Sequence, residues 1–137
     1  MIHFDLQRHQ NELKDLSIAM ESDSGTFTPT GLSYSGTNLT AQCTMYEILK
    51  LMAPINATQL TIRLAGSDVK ELHKRGVPVS SLDTQNERYF YFHHTEGDTM
   101  SVLDKDELDK CQALWTAVSY ALAAIDDILP DERRPRA

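Results

Sequence analysis

The feature that most constrains this chain is the periodic apolar run across residues 104–129. Leu108, Cys111, Trp115, Val118, Leu122, Ile125 and Leu129 recur at alternating steps of three and four, which lines them along one side of an α-helix. A second row, Leu114, Ala117, Ala121, Ala124 and Ile128, widens that side, and a face this broad has to be covered by other parts of a fold. Asp104 with Glu107 three residues on forms a capping box, and Pro130 blocks continuation at the far end. The pattern predicts a long C-terminal amphipathic helix with a small domain built around it.

The rest of the chain supplies short elements. Residues 2–20 repeat the pattern on a smaller scale, with Leu6, His9, Leu13, Leu16 and Met20 on one side and Asp5 as cap, so an N-terminal helix is expected there. Its seam can dock on the C-terminal helix of the same chain or pair with a second copy, and the reading favours a homodimer through the terminal helices. Residues 21–40 change to Ser, Thr, Gly and Pro, which suggests irregular strands over 32–34 and 39–43 turned at 35–38. The stretch Gly31 to Gly36 looks like a nucleophile elbow but has one residue too many before its second glycine, and it is read as a turn.

Thr44 with Glu47 suggests a second capping box, opening a helix that Pro54 ends. Leu60, Ile62 and Leu64 alternate with polar residues as on a half-buried strand. Asp68 with Glu71 opens a short helix, and Pro78 keeps the chain after it extended. Arg88 to His94 reads as an aromatic strand, turned at 95–98 into a strand over 99–103. The fold class is therefore α+β: N-terminal helix, small mostly antiparallel sheet with two short helices, β-hairpin and long C-terminal helix. Residues 1–129 form one domain, and residues 130–137 form a charged, disordered tail.

Composition narrows the function classes. A chain of 137 residues with 41% apolar content can bury a core without metal or disulfide staples. Its net charge of −7 repels a phosphate backbone, which argues against direct nucleic-acid binding and favours a basic protein partner. With no uncharged apolar run near ~20 residues and no export signal, the expectation is a cytoplasmic protein without a membrane segment. Cys43 and Cys111 lie outside any metal-ligand spacing and are expected as buried, reduced thiols.

The chemistry-bearing residues are sparse. His93, His94, Glu96 and Asp98 cluster in sequence, but adjacent histidines on a strand point to opposite faces, so the group is read as a solvated hairpin tip with no metal and no cofactor. Tyr89 and Tyr91 are expected as outward tyrosines anchoring a partner, beside the acidic side chains of Glu12, Asp15, Asp106 and Asp109. The resulting expectation is a non-enzymatic inhibitor or neutraliser of another protein, such as a phage anti-defence or anti-CRISPR-type inhibitor, an immunity protein or an adaptor. The first alternative is a small-ligand protein holding a nucleotide-like signal through Lys70, Lys74 and Arg75. The second is an enzyme whose site carries no recognisable motif.

Overall fold

Strands β1 (Ala19–Glu21), β2 (Pro29–Tyr34), β3 (Gln59–Ile62) and β4 (Val79–Thr84) form one sheet in the spatial order β1, β4, β2, β3 in the computed structural model, which describes residues 8–125. The pairs β1–β4 and β2–β3 are parallel, and β2–β4 in the middle is antiparallel. Among the described residues the helices with a defined range are α1 (Leu39–Leu49), α2 (Lys70–Lys74), α3 (Tyr89–Phe92) and α4 (Lys105–Ala124). The α+β class read from the sequence is the one observed, and its sheet is mixed. Because β1 and β4 run the same way, their carboxyl ends open on the same edge of the sheet.

The long helix α4 begins where its capping box places it. The Asp104 carboxylate accepts from the amides of Asp106 at 2.9 Å and Glu107 at 3.0 Å, satisfying donors that the first turn leaves open. Cys111, Leu114 and Val118 are buried against Leu32 and Tyr34 of β2, Leu82 of β4, and Ala41, Met45, Ile48 and Leu49 of α1. Trp115, Leu122 and Ile125 pack at the margin of this core and stay partly exposed. The seam that suggested pairing between copies is thus largely spent inside the chain.

Several local readings are corrected. Arg8 is helical, residues 9–12 form turns, residues Leu13–Asp15 a single 3-10 turn and Met20 lies in β1, so no helix runs on from Arg8 to residue 20. Leu13 is buried against Val77 on the sheet face opposite α4, where Ala19 and Leu72 also pack. The expected Asp5 cap and Leu6, and the tail at 130–137, lie outside the described residues. Residues 39–43 belong to a helix, because the Asn38 side chain accepts from the Ala41 amide at 3.1 Å and caps α1 six residues earlier than expected. Thr44 bonds back to the Thr40 carbonyl instead of capping.

Leu60 of β3 packs on the core, while Ile62 and, beyond the strand, Leu64 stay exposed. Gly31 allows β2 to meet β3 here, since an added Cβ would lie 1.9 Å from the Gln59 carbonyl oxygen. The aromatic run 89–92 is a helical turn, not a strand, and the expected strand over 99–103 holds a 3-10 turn at Met100–Val102. No β-hairpin therefore feeds α4. Among the described residues no helix is long and apolar enough to cross a membrane.

Candidate active site

At the shared carboxyl edge of β1 and β4, the chain leaving β1 meets the chain leaving β4. Asp23 and Gly25 follow β1, and α3 with His93, His94 and Asp98 follows β4. Clefts outside the carboxyl ends of parallel strands are the habitual place for ligands in sheets of this kind. Tyr89 is the hub. Its ring packs 4.6 Å from that of His93, and the space beside Gly25 is filled by the Tyr89 and Phe27 rings.

His93 and His94 lie ring on ring, with centroids 3.7 Å apart and planes 23° from parallel. That geometry overturns the expectation that adjacent histidines diverge. The helical turn ends at His93, and His94 takes a left-handed backbone with φ 56°, so the two side chains leave on the same side. A non-glycine residue held at positive φ costs of order 1 kcal/mol and persists where the surroundings demand it, a pattern concentrated at functional sites.

The electrostatics of the cluster are those of a proton-holding phenol between carboxylates. Burial pushes the Tyr89 phenol above its ordinary value, and the negative charges of Asp23 and Asp98 add to the push. Tyr89 therefore stays a neutral donor through the physiological range. Asp23, Asp98, His93 and His94 are oxygen and nitrogen donors of the type divalent ions accept. Among the described residues no group of three His, Cys, Asp or Glu side chains lies close enough together to hold a metal.

The edge is braced from both faces of the sheet. On one side, the Cys111 thiol of α4 donates to the Phe27 carbonyl at 3.1 Å, the Thr28 hydroxyl donates to Glu107 at 2.6 Å, and the Arg88 guanidinium lies 5.6 Å from the centre of the Phe27 ring. On the other, Glu21 at the end of β1 reaches across to the segment before α2. Its carboxylate accepts from the amides of Ser67 at 3.1 Å, Asp68 at 3.0 Å and Val69 at 3.0 Å. Burial alone would raise the Glu21 carboxyl, but these amides and the Ser67 hydroxyl outweigh it and hold it below its ordinary value. The Asp68–Glu71 capping box is absent, and a carboxylate from a distant strand instead holds the turn that leads into α2.

Of the side chains expected to bind a partner or ligand, Tyr89 is the one at this cluster, together with His93, His94 and Asp98 of the group read as a solvated hairpin tip. Tyr91 and Phe90 stand on the outside of α3, 75% and 78% exposed. Glu12 is exposed and paired with His9 at 3.0 Å, and Asp15 lies in the turn after it. Asp106 is in the first turn of α4, and Asp109 pairs with Lys105 at 2.7 Å. Much of the acidity read as partner-facing is thus engaged locally. Lys70 is exposed on α2, Lys74 pairs with Glu71 on the same helix, and Arg75 is its C-cap. Cys111 is buried as expected, whereas Cys43 is exposed. Asp23 was missed because a lone aspartate in a Ser/Gly stretch has no spacing signature.

Comparison with known proteins gives this geometry its context. A family model described as Peptidase family M28 matches residues 3–119. Carboxypeptidase Q of Homo sapiens is 40% identical over 124 residues, covering 90% of this chain and 26% of that protein. Carboxypeptidase Q of Xenopus laevis is 39% identical over 122 residues, covering 89% and 26%. The crystal structure of a Peptidase M28 precursor from Shewanella amazonensis SB2B superposes with a TM-score of 0.85 at 26% identity, over 98% of this chain and 30% of the other. The chain spans about a quarter of the length of the carboxypeptidase Q relatives. These matches overturn the expectation of a non-enzymatic inhibitor, immunity or phage accessory protein. Acidity and lack of a local motif misled because the residues gathered at the sheet edge come from distant parts of the chain.

Proposed function

The chain belongs to peptidase family M28, and from that premise we propose that its carboxyl-edge cluster forms part of a peptidase site that releases the carboxyl-terminal residue of a short peptide. The observation that carries the reading is the stacking of His93 and His94 beside Tyr89 at the shared carboxyl edge of β1 and β4, where the charges of Asp23 and Asp98 also act on the Tyr89 phenol. Hydrolysis adds water across the amide carbon–nitrogen bond, giving a carboxylic acid and an amine, and it needs a proton acceptor for the water and a proton donor for the leaving nitrogen. Asp23 is suited to accept, and the imidazoles of His93 and His94 are suited to pass a proton onward. Tyr89, kept neutral, is suited to donate a hydrogen bond to the oxygen on which charge develops.

The similarity to carboxypeptidase Q supports action at a free carboxyl terminus. The test is to incubate the polypeptide, as it occurs in the cell, with dipeptides and with amino-blocked peptides bearing a free carboxyl end. Release of the terminal amino acid is expected, with Asp23→Asn lowering kcat/KM by roughly 100-fold while the melting temperature holds. A folded protein that leaves all of these substrates intact would overturn the reading.

A further inference from the structure

Resting on that reading of the site, we infer that Ser67 is a positioning residue for Asp23, with its own backbone held in place by Glu21. The Ser67 hydroxyl lies 3.2 Å from Asp23 Oδ2 and 3.1 Å from Glu21 Oε1. A hydroxyl has one proton to give, and two carboxylates compete for it. Glu21 draws on that proton but does not rely on it alone. It already takes the amides of Ser67, Asp68 and Val69, so the backbone of residues 67–69 stays fixed whichever way the hydroxyl turns.

The hydroxyl is shared between the two carboxylates, and Asp23, which lies on an exposed loop, has more to lose from its removal than Glu21 with its three amides. A charge-assisted bond of this kind selects one side-chain rotamer and aims the carboxylate at the edge where Tyr89 stands. Gly66 is the spatial condition for the arrangement. At φ +89°, it leaves room where an added Cβ would lie 2.5 Å from Glu21 Oε2 and 2.9 Å from the Ser81 hydroxyl. The clamp thus sits directly over the register pair Glu21–Ser81 of β1 and β4.

The assignment separates cleanly from a purely structural role. Ser67→Ala removes the donor to Asp23 and leaves the three amide bonds to Glu21, so the melting temperature should stay within about 2 °C of wild type. Peptidase kcat should fall about tenfold with KM unchanged, and Ser67→Thr, which keeps the hydroxyl, should restore it. The crystal structure of Ser67→Ala should show the Asp23 carboxylate rotated or in two conformers, with Glu21 unmoved. A wild-type kcat, a loss that threonine does not rescue, or an Asp23 rotamer unchanged in that crystal structure would each overturn the inference. If the wild-type protein cleaves no peptide, the proposed function fails and the crystallographic comparison still decides the positioning role.

Discussion

The Cys111 thiol on α4 donates to the main-chain oxygen of Phe27 across 84 residues of sequence, at 3.1 Å. The longest helix is thereby tied to the segment that carries Gly25 and Phe27 past Tyr89. Burial pushes this thiol up to about 11, with the charge of Glu107 adding to the effect, so it stays protonated and donates throughout the physiological range.

A difference in thiol chemistry follows. Cys43 is exposed on α1 and should react with iodoacetamide or a disulfide reagent in the native state at a rate near that of a free thiol, while Cys111 should react only on unfolding. Stopped-flow titration should count one fast equivalent in buffer and two in denaturant. Two fast equivalents in native buffer would contradict the buried bond to Phe27.

Stability should depend on pH through Glu21. Its folded value is depressed below the ordinary carboxylate value, so its contribution is present above that ordinary value and is lost as pH falls through the lower, folded one. Glu21→Gln presents an amide to amide donors and should cost roughly 1–2 kcal/mol at pH 7. Urea melts at pH 7 and at pH 3 should show the gap between variant and wild type closing at the acid end. A gap that widens there would reverse the sign and refute the role of Glu21 in holding residues 67–69.

Packing on α4 should be one-sided. Leu114 is fully buried and Leu114→Ala should cost about 2–5 kcal/mol, whereas Tyr120 is 76% exposed and Tyr120→Ala should stay within about 0.5 kcal/mol. Denaturant midpoints of the two variants compare them directly. Similar losses at both positions would place the helix in the wrong rotation.

His94 should show opposed effects on stability and activity. Asparagine tolerates the left-handed backbone that His94 adopts at φ 56°, so His94→Asn should melt at or slightly above the wild-type temperature. The imidazole stacked on His93 is lost, and peptidase activity should drop at least about 100-fold. A variant that melts lower and keeps its activity would assign His94 to the fold alone.

Local chemistry explains which of these features could be read in advance. Asp104 and α4 were legible because the cap, the period and the buried face all lie within one helix. Asn38 was passed over because the Thr44–Glu47 pair imitates the same signal, and only the start of α1 decides between them. The strand β4 was read only as extended chain because Ser80 and Ser81 break its apolar pattern, although both are buried; Ser80 spends its hydroxyl on the Ser33 carbonyl at 2.6 Å. Residues 89–92 are aromatic at every position, so no alternation could separate strand from helix. The Glu21 and Ser67 contact bridges 46 residues and leaves no mark on local spacing.

The pairing of Glu21 with Ser81 also sets a clock. β1 is three residues long and parallel to β4, so a slip of one residue would turn Glu21 to the opposite face of the sheet and unclamp Ser67. Such pairing joins segments far apart in the chain and is slow to form. A refolding molecule therefore has α4 early and its Asp23 geometry late, and catalytic competence should return with the last tertiary phase and not with the burst of helix.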